Sequence, residues 1–169
     1  FVKAALLKGK HVVTSNKALV AAHGTELLQI ARDRKVNFFF EAAVGGGIPV
    51  IRTLGTGYQG QVITEITGIL NGTTNYILTR MDREGAEFGD VLADAQRLGY
   101  AERNPEADIE GHDTCRKIAI LSSLVTGKEV NFEDVYTEGI SKIDSTDFRY
   151  ASELKASIKL VGSAQFAGD

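Results

Sequence analysis

The chain has 169 residues, of which 43% are hydrophobic and 24% are charged, and its formal net charge at pH 7 is −3. A chain of this length and composition can bury the core of one domain, or of one domain plus part of another. Its 19 basic and 22 acidic residues form no long block of one sign, and no stretch reaches the roughly 18 apolar residues of a membrane span. The sequence therefore predicts neither a nucleic-acid partner nor a membrane partner.

The single cysteine, Cys115, can form no intramolecular disulfide and has no companion for a zinc site. This usage favours a reducing compartment, and we expect a cytoplasmic protein. The first residues have neither an initiator methionine nor the cleavage site of a signal peptide, and they have the spacing of a helix already in progress. We therefore expect a chain that is trimmed at its N-terminus.

The first part of the sequence alternates between helical and extended patterns. Asn16 is a suitable N-cap, and His23-Gly24 is expected to interrupt the helix that follows it. Such alternation is typical of a doubly wound α/β sheet, but no G-x-G-x-x-G follows the first strand, so the phosphate-binding half of such a domain is absent. The predicted elements are a helix over 2–8, a strand over 11–14, helices over 17–22 and 25–31, and a strand over 36–40.

The rest of the sequence predicts further helices with a few strands. Glycines at 99 and 127 are suitable helix stops, and β-branched residues at alternate positions favour a strand before residue 70. The predicted elements are a helix over 50–58, a strand over 61–70, helices over 74–85, 90–98 and 112–126, and short strands over 140–143 and 160–166 around a helix near Ser152.

Five acidic residues crowd twelve positions after Gly99: Glu102, Glu106, Asp108, Glu110 and Asp113. Carboxylates at this density repel one another unless a cation lies among them. A solvated acidic loop is one interpretation, and a ligand-binding loop is the other. A calcium loop of the EF-hand type is disfavoured because its ligand spacing and its glycine are missing.

The helix that follows carries Asp113 and Lys117, which are four residues apart and therefore share one face. Residues 118–121 are apolar all around the helix, which predicts a buried segment with Lys117 at its mouth. Burial disfavours the charged form of a lysine and a neighbouring carboxylate favours it, and the sequence leaves open which effect is larger. Lys117 is a candidate acid/base group or substrate anchor, and a surface ion pair is the alternative.

Two turns could bring backbone groups close to a ligand. Residues 41–49 place a glutamate at a strand end and then three glycines before a helix, and residues 71–74 place hydroxyls at a helix N-terminus. The first turn lacks the Gly-Lys-Ser/Thr of a nucleotide P-loop. The second would favour a ligand carboxylate. Tight turns without a ligand are the alternative for both.

Four segments in the same order carry a resemblance to a known family. They are 13–19 (VTSNKAL), 40–49 (FEAAVGGGIP), 68–78 (GILNGTTNYIL) and 98–102 (LGYAE) followed by Asp108, Gly111, Asp113 and Lys117. Together they resemble homoserine dehydrogenase over nearly the whole chain. The family interconverts L-homoserine and L-aspartate 4-semialdehyde with NADP or NAD, in the biosynthesis of threonine, methionine and isoleucine.

The resemblance implies a role for individual residues. Lys17 and Lys117 would be paired active-site lysines, with Lys117 transferring the proton to the substrate oxygen directly or through water. Asp113 would orient Lys117 and help to hold the substrate. Glu102 would bind the substrate ammonium. The remaining pocket residues would be Asp108, Tyr100, Gly72 and Thr73, and the cofactor contacts would be Ser15, Asn16 and Lys17.

The resemblance also implies an ion, an assembly and a fold. A sodium ion would be held by Glu41 and by the main-chain oxygens of Val44, Gly46 and Ile48, and the enzyme would be a homodimer. The fold would be α/β (α+β), with a mixed β-sheet covered by helices on one side, preceded by the tail of a doubly wound nucleotide-binding domain. Residues 1–40 would be that tail, and 41–169 the catalytic and dimerisation domain.

One departure from the family pattern is Thr114-Cys115, where small apolar residues are usual; it concerns packing around the helix and not the catalytic groups. Two hypotheses follow. The first is a truncated oxidoreductase that is inactive as the isolated chain, and the second is a non-catalytic module for substrate binding and dimerisation.

Overall fold

The computed structural model describes residues 1–57 and 60–166, which form a mixed α/β arrangement of helices with two small sheets. The predicted α/β class is confirmed. The chain divides into two compact units. Unit 1 comprises Phe1–Ile66, Arg116–Val135 and Ser163–Asp169, and unit 2 comprises Thr67–Cys115 and Tyr136–Gly162. Within the described residues, no helix combines the length and the apolarity that a bilayer crossing needs.

Unit 1 begins with a parallel β-α-β arrangement. Helix α1 (Val2–Leu7) packs on helix α2 (Lys17–Arg34), and α2 connects strand β1 (Val12–Val13) to strand β2 (Phe38–Phe39). The strands pair in parallel, with Val12 opposite Phe38 and Val13 opposite Phe39. This is the alternation that the sequence predicts for a doubly wound sheet.

Helix α2 is continuous through His23-Gly24, so the predicted interruption is wrong. A glycine inside a helix costs about 1 kcal/mol relative to alanine, which the burial of an apolar face can offset. Val20, Leu27 and Ala31 form that face and are at most 5% exposed. Gly24 is itself buried, and a Cβ atom there would lie 3.2 Å from Cγ1 of Val20. The glycine therefore serves close packing.

The elements between β2 and residue 70 are short. A 3-10 turn (Glu41–Ala43) precedes helix α3 (Val50–Arg52), which continues as a π-helical turn over Thr53–Gly57. The helix predicted over 50–58 is thus helical up to 57, and its last position lies outside the described residues. Strand β3 (Glu65–Gly68) covers only the middle of the strand predicted over 61–70, and it pairs with β4 (Gly162–Gln165).

Unit 2 is mainly helical. Its helices are α4 (Gly72–Glu84), α5 (Phe88–Arg97), α6 (Glu106–Ile109), the start of α7 (His112–Thr126) and α8 (Ser145–Glu153). Helix α7 has the bounds that the sequence predicts and continues into unit 1. The hydrophobic core consists of Ile77, Leu78, Met81, Val91, Ala95, Ala101, Ile140 and Phe148.

The short strand predicted over 140–143 is wrong. Ile140 is buried in the core, and its main-chain nitrogen donates a hydrogen bond of 2.7 Å to the oxygen of Ile109. The nitrogen of Ile143 then donates a hydrogen bond of 3.1 Å to the oxygen of Ile140, so the chain forms a turn there. Residues 139–143 therefore form an irregular segment, which we call the strap, against Ile109 of the acidic loop. Its apolar pattern reflects core packing.

Candidate functional site

A buried polar cluster lies at the N-terminus of α4 in unit 2. Asn71 caps the helix, because its Oδ1 accepts a hydrogen bond of 2.9 Å from the nitrogen of Thr74. Its Nδ2 donates to Oδ1 of Asp108 at 2.7 Å and to Oδ2 of Asp113 at 3.0 Å. Asn71 is 5% exposed and Asp113 is 2% exposed. One amide thus joins two acids of the predicted site, 37 and 42 residues away along the chain.

The local sequence explains why the two acids are held there. Asp113 occupies the first turn of α7, where the helix dipole favours a negative charge. Asp108 lies in α6, and the chain between the two helices turns at Gly111, whose φ is +80°. The strap lies against this turn so closely that a Cβ atom at Gly139 would be 2.5 Å from the oxygen of Ile109. Glycine at 139 is therefore required by the close backbone approach.

The other predicted substrate-binding residues surround the start of α4. Oγ1 of Thr73 donates a hydrogen bond of 2.7 Å to the main-chain oxygen of Tyr100, whose ring lies 4.9 Å from that of Tyr76. Gly72 is exposed, and so is Glu102, whose main-chain oxygen accepts a bond of 3.0 Å from Gln96. Unit 2 thus contains six of the predicted residues, namely Gly72, Thr73, Tyr100, Glu102, Asp108 and Asp113. A direct hydrogen bond connects Thr73 to Tyr100.

The predicted lysines belong to unit 1. Lys117 is partly buried on α7 and is followed by four residues, 118–121, that are at most 3% exposed, in agreement with the predicted buried segment. Lys17 is partly buried and is the first residue of α2. Asn16 caps that helix by accepting a bond of 3.0 Å from the nitrogen of Leu19, and Ser15 before it is exposed.

The glycine turn of unit 1 carries the predicted ion ligands. Both carboxylate oxygens of Glu41 accept main-chain hydrogen bonds from the start of α3, from Ile51 at 2.9 Å and from Arg52 at 2.8 Å. The Glu41 side chain is therefore a helix cap. Gly45 and Gly46 have φ of +79° and +57°, so the chain curves there. Within the part of the chain that is described, the main-chain oxygens of Val44 and Gly46 accept no hydrogen bond.

A second charged network of unit 2, which we call the Arg80 network, lies on the surface of α4 and α5. Arg80 contacts Glu84 at 2.5 Å and Asp94 at 2.8 Å, and Arg97 contacts Asp94 at 2.9 Å. Hydrogen bonds from Arg80 lower the pKa of both acids, and the bond from Arg97 lowers the pKa of Asp94 further. The bonds to Glu84, Asp94 and Tyr76 raise the pKa of Arg80. None of these residues is among the predicted site residues.

Sequence reasoning missed Asn71 and Thr74 as members of the polar cluster. Both lie in the turn that the sequence predicts to be a helix N-terminus, and Thr74 is fully buried. Asn before a helix predicts a cap, but nothing local indicates where its NH₂ group points. The signal that could have found Asn71 is the excess of acids elsewhere in the chain, which need donors when they are buried.

Residues 55–60 (GTGYQG) also match the G-x-G-x-x-G motif of dinucleotide-binding domains. That motif requires a strand before it and a helix after it. Here Gly55 and Gly57 lie in the π-helical turn that continues α3, so the required strand-to-helix turn is absent from the described residues at this point. These letters therefore carry no cofactor assignment.

Comparison with known proteins gives one consistent family. The family model described as homoserine dehydrogenase matches residues 49–168. The chain is 49% identical over 164 residues to the homoserine dehydrogenase of Neisseria gonorrhoeae, covering 97% of this chain and 38% of that protein. It is 50% identical over 161 residues to that of Pseudomonas aeruginosa, covering 95% of this chain and 37% of that protein.

Solved structures agree. The crystal structure of a homoserine dehydrogenase from Thiobacillus denitrificans matches 99% of this chain and 39% of its own with a TM-score of 0.94 at 50% identity. A hyperthermophilic archaeal homoserine dehydrogenase in complex with NADPH matches 97% of this chain and 48% of its own with a TM-score of 0.84 at 32% identity. The chain spans less than two-fifths of the length of the curated relatives named above.

Proposed function

Because this chain belongs to the homoserine dehydrogenase family, we propose that it is the substrate-handling part of an enzyme that interconverts L-homoserine and L-aspartate 4-semialdehyde with NADP or NAD. Such an enzyme would act in the biosynthesis of threonine, methionine and isoleucine. The observation that carries the proposal is the pair of the half-buried Asp108 and the buried Asp113, both held by Asn71 at the start of α4. Acids of this kind suit a small cationic ligand group.

The substrate is a small zwitterion, so both of its charges need partners that orient it. Glu102 and Asp108 supply carboxylates for the ammonium group, and Asp113 helps to hold it. Gly72 and Thr73 supply main-chain nitrogens at the N-terminus of α4, where the helix dipole favours a carboxylate. Tyr100, which is tied to Thr73, closes the pocket wall.

The reaction needs a proton at the substrate oxygen, because hydride added to an aldehyde carbon leaves an alkoxide. Lys117 is the donor in our proposal, and in the opposite direction it accepts the proton from the homoserine hydroxyl. Asp113 stands one helical turn before it on α7 and orients its ammonium group. Lys17 is the second lysine and contributes positive charge that stabilises the alkoxide.

The nicotinamide cofactor supplies the hydride when it is bound. We assign its contacts to Ser15, Asn16 and Lys17, which lie between the carboxyl end of β1 and the start of α2. In parallel α/β sheets this is the edge where nucleotides bind. The NADPH in the archaeal relative supports a nicotinamide cofactor for this chain.

We assign a sodium ion to the glycine turn, with Glu41, Val44, Gly46 and Ile48 as its ligands. Hard cations prefer oxygen ligands, and a curved backbone can present several carbonyls to one point. The oxygens of Val44 and Gly46 accept no hydrogen bond within the described residues, which fits this role. The carboxylate of Glu41 holds the start of α3, so its main-chain oxygen is the one assigned to the ion.

The proposal also concerns the protein as a whole. Residues 1–40 would be the tail of the nucleotide-binding domain and residues 41–169 the catalytic and dimerisation domain of a cytoplasmic homodimer. An alternative is that the chain by itself only binds substrate and dimerises. Calorimetry separates the two: NADPH binding to the chain alone at the strength of a complete relative would contradict the alternative.

The experiment that tests the proposal is Lys117→Ala in the enzyme that carries this chain, with Lys128→Ala as the control. Lys128 is exposed just after the same helix. We expect Lys117→Ala to lower kcat by at least about a hundredfold, the usual contribution of a proton donor, with an unchanged circular dichroism spectrum. The control should keep wild-type kcat. Homoserine oxidation by Lys117→Ala at near wild-type rate would overturn the assignment.

A further inference from the structure

We propose that Asn71 is a positioning residue, which fixes the spacing of the Asp108 and Asp113 carboxylates so that they act together on one cationic group of the substrate. This inference rests on the function proposed above. It concerns a side chain outside the set of predicted site residues. Its basis is the geometry of a single amide that makes contacts on both of its polar atoms.

The cap settles the orientation of the amide. Oδ1 of Asn71 accepts from the nitrogen of Thr74 at 2.9 Å and from its hydroxyl at 3.0 Å. Only an oxygen can accept from a main-chain N–H, so the NH₂ group must point the other way, toward the two acids. The position of this nitrogen therefore follows from the start of α4.

The NH₂ group has two hydrogens, one for each acid. The bonds to Asp108 and Asp113 are 2.7 and 3.0 Å long, so neither carboxylate needs to share a donor with the other. Because both oxygens contact the same nitrogen, they lie no farther apart than the two hydrogen bonds placed end to end. Asn71 thereby brings two like charges into one small region.

The bridge holds the acids without cancelling their charge. An arginine or a lysine in the same place would neutralise one carboxylate, whereas a neutral amide satisfies an oxygen of each acid and adds no charge of its own. Two carboxylates kept close together favour a cation strongly. This is the property that binding the ammonium group of an amino acid requires.

The two functions of Asn71 can be separated by substitution. Asn71→Ser keeps a good helix cap and removes the bridging NH₂ group without adding charge. Asn71→Asp also keeps the cap acceptor, but it places a third carboxylate against the other two. Asn131 offers a matched control, because it is an exposed helix cap whose Oδ1 accepts from the nitrogen of Glu133 at 3.2 Å.

The experiment measures kcat and KM for homoserine and for the cofactor across pH in the enzyme that carries this chain. For Asn71→Ser we expect KM for homoserine to rise about tenfold to a hundredfold, the equivalent of a lost hydrogen bond to a charged group, while KM for the cofactor stays unchanged. The acid limb of the kcat/KM profile should move to higher pH, and farther in Asn71→Asp, because like charges disfavour ionisation.

Asn131→Asp should match wild type in all of these measurements. An even loss of kcat and cofactor affinity at every pH in Asn71→Ser would indicate a merely structural role and would overturn the inference, and so would wild-type kinetics. If Asn71→Asp does not fold, Asn71→Ser alone decides. A wild-type enzyme without homoserine dehydrogenase activity would instead refute the proposed function, so the two failures are distinct.

Discussion

Unit 2 contains two polar networks of similar layout, and they differ in the group at the centre. In the buried cluster, the neutral amide of Asn71 joins Asp108 and Asp113. In the partly exposed Arg80 network, a guanidinium joins Glu84 and Asp94. Each network connects two carboxylates through one nitrogen-bearing side chain.

This difference indicates which of the two networks is suited to bind a charged ligand. In the Arg80 network, Arg80 and Arg97 balance the charges of Glu84 and Asp94, and water screens what remains, so the network stabilises the surface only weakly. In the buried cluster, the central amide contributes no charge, and burial strengthens the field of the acids. The network whose central group adds no charge is the one that we propose as the ligand site.

The sharpest test of this comparison removes one negative charge from each network. We expect Asp113→Asn to lower kcat/KM for homoserine by about a hundredfold, because in the proposed function the substitution removes a buried charge that helps to hold the substrate. Asp94→Asn should stay within about twofold of wild type, because an exposed pair contributes little. Steady-state kinetics at pH 8 measures both. Equal losses in the two variants would contradict the division into a binding network and a surface network.

The second prediction concerns the strap that holds the acidic loop. A Cβ atom at Gly139 would lie 2.5 Å from the oxygen of Ile109 and 2.6 Å from Cα of Glu110, so Gly139→Ala must displace the backbone beside Asp108. We expect a loss of about 1–3 kcal/mol in the free energy of unfolding, measured by urea denaturation.

Gly89 is the matched control for this substitution. It lies in α5 and has no atom within 4 Å of the added Cβ. Gly89→Ala should therefore not destabilise the protein, because Gly89 lies in the first turn of α5, where alanine has the higher helix propensity. Destabilisation of similar size in both variants would mean that the strap is not the cause.

The smallest expected effect is the pH dependence of the Arg80 network. Arg80 lowers the pKa of Glu84 and Asp94 in the folded state, so their contribution to stability is complete above the unfolded value of about 4 and is lost as the pH falls through the folded value. Arg80→Met should therefore flatten the decrease in stability between about pH 5 and pH 2. Urea denaturation at each pH measures this slope.

Arg83→Met is the control, because Arg83 is exposed on the same helix and forms no ion pair among the described residues. Its slope should equal that of wild type. A flattened slope in Arg83→Met as well would show that net charge, and not the Arg80 network, causes the effect.

Local patterns predicted much of this fold. The bounds of α7, the parallel arrangement of β1 and β2 and the cap at Asn16 follow from periodicity, alternation and side-chain chemistry near each element. The errors arose where packing outweighs local preference. Buried apolar neighbours keep α2 helical through Gly24, and the core draws Ile140 into an irregular strap.

The site was less predictable for a different reason. The sequence and the family resemblance pointed to Asp108 and Asp113, but the residue that joins them lies 37 and 42 positions earlier in the chain. A single sequence does not contain the information that pairs a cap with distant acids. Only the tertiary structure identifies Asn71, and the individual roles of the predicted residues stay predictions.

The double contact of Asn71 also makes one backbone amide sensitive to the state of the acids. The Thr74 amide is buried, and its hydrogen is held by the same side chain that contacts Asp108 and Asp113. That hydrogen can exchange with solvent only after Asn71 releases it. A ligand that restrains Asp108 and Asp113 would therefore slow hydrogen exchange at the Thr74 amide. The exchange rate of this one amide would then report whether the pocket is occupied, without any label on the ligand.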